Sequence, residues 1–228
     1  MGAQEVALMI RRNFERPEER LIAPFRSAST GNICDAQGRV GALDYRIKPI
    51  SKRSSFIGVA LTVKTVPKDN LAPWAAIDVA EPGDVIVIAT GEDFDTSVIG
   101  NIYVGMACNK GVAAIVTDGV VRDIAGIEAV GIPVFAMGVS PNSPWKNGPG
   151  TIGFPIVIGG VAVNPGDIVV GDSDGVVIVP RIKAAEVAEE LKAVLAKEAE
   201  MEARLKAGDV LPGWLAEAYK TKGVRYVD

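Results

Sequence analysis

An adjacent arginine and aspartate, Arg122 and Asp123, are the residues of this sequence best suited to chemistry. They follow an apolar run that ends at Thr117, and functional groups often lie just past the carboxyl end of a buried strand. A guanidinium matches a carboxylate with two parallel hydrogen bonds, and an aspartate oxygen is a hard ligand for Mg²⁺ or Mn²⁺. Together they could bind a substrate anion and its metal. Alternatively, they form a surface ion pair, and Asp123 caps a helix that begins near Ile124.

A second polar segment, residues 91–102, combines glycine and acidic residues with the start of a helix. Backbone N–H groups in the first turn of a helix have no partner within the helix and bind anions. Gly100 and the amides of Ile102 and Tyr103 could therefore cradle a carboxylate or a phosphate. Most glycines before a helix serve only its cap, so an ordinary helix start is the alternative.

A third candidate, Glu198, interrupts the apolar face of a helix near the end of the chain. Residues 181–207 are rich in Ala, Glu, Lys and Leu, which favours a helix. Apolar residues recur there in steps of three and four, at Val187, Leu191, Val194, Met201 and Leu205. Glutamate fills the vacancy at position 198. Its carboxylate either reaches solvent or a lysine, or the helix delivers this acid to a site, which could lie across a subunit boundary.

The composition narrows the possible chemistry. The 228 residues include no histidine, which excludes His-based triads, imidazole zinc ligands and the usual general base near neutral pH. Any metal must therefore be held by oxygen. The two cysteines, Cys34 and Cys108, lie far apart and form no CxxC motif, so we expect a reducing compartment and neither a disulfide scaffold nor a zinc site.

Charge and hydropathy indicate the partners and the location. The 24 Lys and Arg against 28 Asp and Glu give a formal net charge of -4, so we expect no direct nucleic-acid binding. No apolar run approaches the roughly 18 residues of a membrane span, and residues 1–12 lack the order of a signal peptide. We therefore expect a cytoplasmic protein without membrane contact.

The elements that must position these residues are short strands and helices. Strand-length runs bounded by Gly, Pro or Asp occur at residues 59–66, 85–89, 112–117, 133–137, 156–163, 168–170 and 176–179. Helices are predicted at 71–80 and about 97–109, the latter closed by Gly111, and a short helical stretch at 17–27 precedes a turn-rich segment at 29–32. Strands and helices alternate, and then strands follow strands, which predicts a mixed α/β layered protein.

Several motifs together resemble one known family. The segment TDGVVRD at residues 117–123 follows Gly100 and Asn101 and precedes the sequence GIPVFA. Further similarity comes from STGNICDA at residues 29–36, PGD at 82–84, GVSPNSP at 138–144 and NPGDIVVGDSDGV at 164–176. These residues resemble the family that joins the regulator of ribonuclease activity A to the 4-hydroxy-4-methyl-2-oxoglutarate and 4-carboxy-4-hydroxy-2-oxoadipate aldolases. The resemblance extends from about residue 20 to residue 210.

This resemblance implies a fold and an activity. The fold would be one domain over residues 1–228, a compact α-β-β-α sandwich of the swivelling β/β/α type with its core at about 20–180. A C-terminal helix at 181–207 would pack on a neighbouring subunit of a trimer or hexamer, followed by a tail at 208–228. The activity would be that of a class II aldolase dependent on Mg²⁺ or Mn²⁺. It would cleave a 4-hydroxy-2-oxo acid to pyruvate plus pyruvate or oxaloacetate, with oxaloacetate decarboxylation as a side activity.

The resemblance also implies roles for individual residues. Carried over by position, Asp123 would ligate the divalent ion, with water completing its coordination. Arg122 would contact the pyruvyl group and stabilise its enolate. The amides of Ile102 and Tyr103, next to Gly100, would hold the substrate carboxylate.

Two positions depart from the aldolase pattern. Asn101 stands where the aldolases carry a catalytic aspartate, and Gly126 stands where they carry an acid. Asparagine cannot act as a base. The family also places a glutamate from a neighbouring subunit near the metal, and Glu198 is the candidate for it. Some members lack aldolase activity and bind ribonuclease E, so a regulator without turnover is the alternative function.

Two other enzyme classes have less support. A class I aldolase needs a desolvated lysine for a Schiff base, and we expect neither Lys64, inside a predicted strand, nor Lys110, before a glycine, to be catalytic. A methyltransferase of menaquinone biosynthesis would require a glycine-rich cofactor loop between a strand and a helix, which this sequence does not show.

Overall fold

The computed structural model describes residues 7–227, which form short strands and helices in layers. The strands are β1 (Leu8–Ile10), β2 (Lys48–Pro49), β3 (Phe56–Thr65), β4 (Asp84–Ala89), β5 (Ser97–Ile99), β6 (Ala114–Thr117), β7 (Val120–Val121), β8 (Val134–Ala136), β9 (Gly138–Val139), β10 (Gly150–Ile152), β11 (Ile156–Ile158), β12 (Val161–Val163), β13 (Ile168–Asp172) and β14 (Gly175–Val179). The helices are α1 (Glu19–Ile22), α2 (Thr30–Ala36), α3 (Leu71–Val79), α4 (Asn101–Asn109), α5 (Ile124–Val130), α6 (Ala184–Lys206) and α7 (Trp214–Lys222), with 3₁₀ turns at Ala23–Phe25 and Arg181–Lys183.

The main sheet has nine strands, and its centre is parallel. Strands β3, β4, β6 and β8 lie side by side in that order, and helices α3, α4 and α5 make the connections between them. Parallel strands need such crossovers. Strands β10 and β13 pair antiparallel with β3, and β2 pairs antiparallel with β8. The mixed α/β class predicted from the sequence is confirmed.

Both faces of this sheet are buried. Along β4, Ile86 and Ile88 pack into the cluster that includes helices α3, α4 and α5. Val85 and Val87 point to the opposite side, into a cluster with Phe135 and the hairpin of β11 and β12. This alternation follows from the two-residue period of a strand, and burial on both faces explains the continuous apolar sequence of β4.

A separate parallel sheet of three strands, β5, β7 and β9, positions the candidate site. Ser97 pairs with Val120, which pairs in turn with Gly138. Because the three strands are parallel, their carboxyl ends meet at one edge. The residues that follow them are Gly100, Arg122 and Ser140.

Three local predictions were wrong. Residues 97–99 form a strand rather than the first turn of a helix, because they pair with β7. The predicted strand at 156–163 is a two-stranded hairpin that turns at Gly159 and Gly160. The turn-rich segment at 29–32 starts helix α2, where the Ser29 hydroxyl accepts a hydrogen bond from the Asn32 N–H at 3.1 Å.

The predicted C-terminal helix is observed as α6, and its buried residues all lie in its first half. Val187 and Leu191 are buried against α2 and the strands β13 and β14. Leu205 in the second half is 70% exposed. The packing of helix α6 on a neighbouring subunit stays a prediction. Within the described part of the chain, no helix combines the length and apolar character that a membrane crossing requires.

Candidate functional site

A cavity of about 130 Å³ opens at the carboxyl edge of the three-stranded sheet. It is lined by Asn70, Trp74, Ser97, Val98, Ile99, Gly100, Asn101, Ile102, Tyr103, Arg122, Asp123, Ser143, Pro144 and Lys146. Six of the seven residues predicted to form the site are among them. The seventh, Glu198, is not.

Arg122 presents its guanidinium along the cavity wall. One terminal N–H group donates a hydrogen bond to the Ser143 hydroxyl. Nε lies 3.5 Å from the Asp123 Oδ2, which is longer than a typical charge-assisted hydrogen bond of about 2.8 Å. Among residues 7–227, no other protein acceptor bonds this guanidinium. The remaining N–H groups are therefore available to an anion.

Asp123 has an unusual backbone conformation. Its φ of 61° and ψ of 44° are left-handed, a conformation that costs a non-glycine residue about 1–2 kcal/mol. Asp123 is the N-cap residue of helix α5, as the capping alternative predicted, but its side chain makes no capping hydrogen bond to this helix. The ion pair with Arg122 exists but is loose, and the Asp123 side chain is 44% exposed. Backbone strain of this kind, which no capping contact of Asp123 explains, is common at functional sites.

Gly100 allows the Asp123 carboxylate to lie against the backbone. A methyl group at position 100 would collide with Asp123 Oδ2 and would come within 3.2 Å of the Arg122 Cγ. Gly100 is also the N-cap of α4 and offers no side chain to its first turn. The amides of Ile102 and Tyr103 thus lack intrahelical acceptors, beside the guanidinium and the carboxylate. An anion cradle at this helix start fits the geometry.

Ile102 and Tyr103 differ in their side chains. Ile102 is 65% exposed, whereas Tyr103 is buried. The Tyr103 hydroxyl donates to the Pro73 carbonyl at 2.9 Å, and burial raises the pKa of this phenol. The side chain of Tyr103 therefore has a structural role, and only its backbone N–H is available to a ligand.

Asn101 and Gly126, the two departures from the aldolase pattern, lie in contact. A Cβ added to Gly126 would stand 2.6 Å from both Cβ and Nδ2 of Asn101. A larger residue at position 126 must therefore displace the Asn101 side chain. The two departures form one local arrangement, in which the glycine makes room for the asparagine.

A double-mutant cycle tests this contact. We expect Gly126→Ala to lower the free energy of unfolding by about 1–3 kcal/mol through overpacking, less the gain of about 1 kcal/mol in helix propensity. Adding Asn101→Gly removes the opposing Cβ, so the double variant should be more stable than the sum of the single changes by about 1 kcal/mol. Chemical denaturation measures all four proteins. Additive effects would show that the residues do not touch.

Asp118, directly after β6, is a buried acid outside the cavity lining. Its carboxylate accepts hydrogen bonds from the Thr90 N–H at 2.6 Å and the Thr90 hydroxyl at 2.9 Å, which join the ends of β4 and β6. Burial raises the pKa of Asp118. The aspartate of the TDG sequence is therefore part of the scaffold.

Removing this carboxylate should destabilise the protein. We expect Asp118→Ala to lower the free energy of unfolding by about 1–3 kcal/mol, because the buried Thr90 N–H loses its acceptor. Asp118→Asn keeps an acceptor oxygen and should stay closer to wild type. Urea denaturation monitored by circular dichroism distinguishes the two variants. An alanine variant as stable as wild type would contradict this role.

Comparison with known proteins assigns the chain to a family. Residues 30–178, well over half of the chain, match the sequence model of the family described as RraA-like: Aldolase/RraA. The chain belongs to the RraA-like family. The family resemblance predicted from the motifs is confirmed.

Individual relatives and structures agree with this assignment. A protein of Halalkalibacterium halodurans is 39% identical over 186 residues, which cover 82% of this chain and 87% of the relative. Its name, 4-hydroxy-4-methyl-2-oxoglutarate aldolase, is itself provisional. A crystal structure of an uncharacterised protein from Pseudomonas syringae pv. tomato is 27% identical with a TM-score of 0.76, covering 86% of this chain and 97% of that one. RraAS2 of Streptomyces coelicolor, described as an unusual member of the RNase ES inhibitor RraA family, is 28% identical with a TM-score of 0.73, covering 84% and 100%.

The cavity lies inside the part of the chain that matches the RraA-like family. Its residues span positions 70–146, within the matched range of 30–178. Glu198 lies beyond this range. Its Oε2 accepts a hydrogen bond from the Asn32 amide at 2.5 Å, at the surface. Within one chain, the structure thus separates Glu198 from the cavity, and its arrival from a neighbouring subunit stays a prediction.

Sequence reasoning missed several cavity residues of this RraA-like chain. Asn70 and Trp74 belong to helix α3 and its N-cap, and no pattern linked them to the strand ends. Ser143 lies in the GVSPNSP motif that contributed to the resemblance, but no pattern in the sequence indicated that it contacts Arg122. Lys146 follows it in a Pro- and Gly-rich loop.

The lysines considered for a Schiff base do not meet its requirement. Lys64 and Lys110 are both exposed, and the Lys110 ammonium donates to the Asp78 carbonyl at 3.2 Å. Neither lines the cavity. Neither of these two lysines is therefore the desolvated amine that a class I aldolase needs.

The donor set suits a hard cation. In residues 7–227, no three or more of the His, Cys, Asp and Glu side chains cluster as a metal site. Asp123 offers one carboxylate that lines an open cavity. Mg²⁺ is typically held by one or two carboxylates together with waters and substrate oxygens, so the site fits Mg²⁺ or Mn²⁺ when a chelating substrate supplies further oxygens.

Proposed function

We propose that this protein is a divalent-metal-dependent aldolase that cleaves a 4-hydroxy-2-oxo acid to pyruvate and a second 2-oxo acid. The substrates would be 4-hydroxy-4-methyl-2-oxoglutarate or 4-carboxy-4-hydroxy-2-oxoadipate, giving pyruvate or oxaloacetate as the second product. The observation that carries the proposal is one cavity that holds the guanidinium of Arg122, the carboxylate of Asp123 and an open helix start. The relative from H. halodurans supports it.

The 2-oxo acid end of the substrate would bind between helix α4 and Arg122. The amides of Ile102 and Tyr103 and the positive end of the helix would hold its carboxylate. Arg122 is anchored at one end by Ser143, which leaves its other N–H groups to contact the substrate oxygens. Asp123 would hold Mg²⁺ or Mn²⁺ next to them.

Cleavage breaks the C3–C4 bond and sends its electron pair toward the C2 oxygen, while the C4 hydroxyl loses its proton and becomes a carbonyl. Arg122 stabilises the negative charge of the resulting enolate. A divalent ion at Asp123 would supply Lewis-acid polarisation of the 2-oxo acid when bound. Protonation of the enolate at C3 then gives pyruvate. Decarboxylation of oxaloacetate would proceed through the same enolate.

The proton of the C4 hydroxyl needs an acceptor that Asn101 cannot provide, because a carboxamide is neutral. We propose that Glu198 of a neighbouring copy accepts it, directly or through solvent, in a homotrimer or homohexamer. Exposed apolar side chains on α4 support self-association at the mouth of the cavity. Ile102 is 65% and Met106 is 50% exposed.

Metal-dependent release of pyruvate tests the proposal. With Mg²⁺ or Mn²⁺, the protein should form pyruvate from 4-hydroxy-4-methyl-2-oxoglutarate and from oxaloacetate, as measured with lactate dehydrogenase and NADH. Removal of the ion with EDTA should abolish both activities, and added Mn²⁺ should restore them. A preparation that yields no pyruvate above the metal-only background from either substrate would contradict the proposal.

The second candidate is a regulator without turnover that docks on a ribonuclease of the RNase E type. Two observations favour it: the similarity to the RNase ES inhibitor family of RraAS2, and Asn101 where the aldolases carry an acid. A metal titration with oxalate, a mimic of the pyruvate enolate, separates the two functions. A docking protein has no reason to bind Mn²⁺ and oxalate together.

A further inference from the structure

Two buried polar atoms in the cavity wall have no hydrogen-bond partner among the described residues. They are the Asn70 Oδ1 and the Trp74 Nε1, and both residues line the cavity. A buried donor or acceptor left unpaired costs about 1–3 kcal/mol, so native proteins keep few of them. Two such atoms, on two residues that line one small cavity, need a partner that the described residues do not supply.

The orientation of the Asn70 amide is determined by its surroundings. Its Nδ2 donates to the Val98 carbonyl at 2.9 Å, and a flipped amide would place two oxygens against each other. The side chain is 5% exposed. Asn70 is the N-cap residue of α3, yet its side chain makes no capping hydrogen bond, although asparagine is a favoured N-cap. The free Oδ1 is therefore not explained by the helix.

Trp74 stands one helical turn after Asn70, and its backbone N–H donates to the Asn70 carbonyl at 3.1 Å. Residues four apart lie on the same face of a helix. The indole packs edge to face on Tyr103, with the ring centroids 5.2 Å apart, so its position is fixed by packing. The residues that carry this acceptor and this donor thus stand one turn apart and line the same cavity.

We propose that Asn70 and Trp74 form a subsite for a hydroxyl group of the substrate. A hydroxyl both donates and accepts, so it can satisfy the Asn70 oxygen and the indole N–H together, whereas a carboxylate or a ketone can satisfy only the indole. This inference rests on the proposed function, which places the 2-oxo acid end at Arg122 and Ile102. The subsite would then bind the C4 hydroxyl of the intact substrate, before its proton moves to Glu198, and would favour 4-hydroxy-2-oxo acids over oxaloacetate, which has no hydroxyl.

Comparison of two substrates in the same variants tests the subsite. We expect Trp74→Phe, which keeps a ring against Tyr103, and Asn70→Ala to lower kcat/KM for 4-hydroxy-4-methyl-2-oxoglutarate about tenfold or more. Oxaloacetate decarboxylation should change less than about threefold. Ser97→Ala is the matched control, since its hydroxyl lies in the same wall and already bonds the Asn142 carbonyl at 2.6 Å. It should affect both substrates equally.

The failure of the subsite and the failure of the function have different signatures. Equal losses for both substrates in Trp74→Phe and Asn70→Ala, or no loss for either, would overturn the subsite and leave the aldolase intact. If the wild-type protein releases no pyruvate, the proposed function fails, and the side-chain amide resonances of Asn70 then report on the subsite, because only a hydroxyl can satisfy the Asn70 oxygen. Those resonances, assigned with Asn70→Ala, should shift with 4-hydroxy-2-oxoglutarate and not with 2-oxoglutarate. Identical spectra with the two ligands would overturn the subsite.

Discussion

Arg122→Ala should lower kcat/KM for pyruvate formation by about 10²–10³-fold, the usual effect of removing one donor that stabilises a developing oxyanion. The loss should appear with 4-hydroxy-4-methyl-2-oxoglutarate and with oxaloacetate alike, because both reactions pass through the same enolate. Coupled assays at saturating Mn²⁺ measure it. The free energy of unfolding should change little, since the Arg122 side chain is 38% exposed.

Arg122→Lys is the matched variant for this prediction. It keeps the positive charge but loses the planar fork and the donor that bonds Ser143. Its kcat/KM should therefore fall between those of wild type and Arg122→Ala. Wild-type turnover in the alanine variant would contradict the role of the guanidinium in the reaction.

Asp123→Asn should weaken Mn²⁺ binding by more than about 100-fold, because loss of even an outer partner of a metal site costs 10–100-fold. Asparagine has the shape of aspartate and tolerates left-handed backbone conformations, so the turn at φ 61° should survive. The substitution then removes the charge and little else. Titration of Mn²⁺ by electron paramagnetic resonance measures the affinity, and activity should fall in parallel.

Asp78→Asn is a matched control for the loss of charge. Asp78 is an exposed acid that pairs with Arg12 at 3.5 Å and does not line the cavity. Its substitution should leave Mn²⁺ affinity within about twofold of wild type, because an exposed acid outside the cavity offers the ion no ligand and its charge is screened by solvent and salt. Equal Mn²⁺ affinities of Asp123→Asn and wild type would place the metal elsewhere.

The grouping of the site could be predicted from the sequence because the relevant residues follow strands. Gly100 and Arg122 come directly after β5 and β7, which are parallel neighbours with a shift of register between Ser97 and Ile99. Strand ends of this kind lie at one edge whatever the details of packing. The αL conformation of Asp123 and its contact with Gly100 required coordinates, since they depend on the close approach of two turns.

Other features depend on tertiary contacts that leave no periodic signal. Residues 97–99 lie directly before Gly100 and helix α4 in the sequence, and pairing with β7 makes them a strand. The contact between Asn101 and Gly126 joins two helices. Asn70 looks like an ordinary helix cap in the sequence. Only the structure shows that its side-chain nitrogen bonds the Val98 carbonyl, which leaves its side-chain oxygen without a partner among the described residues.

A crystal structure of the protein with Mn²⁺ and pyruvate tests the central claim most directly. The anomalous signal should place Mn²⁺ in direct contact with the Asp123 carboxylate, with the pyruvate carboxylate on the amides of Ile102 and Tyr103 and its keto oxygen facing Arg122. An anomalous peak away from Asp123, or pyruvate bound without contact to Arg122, would contradict the account.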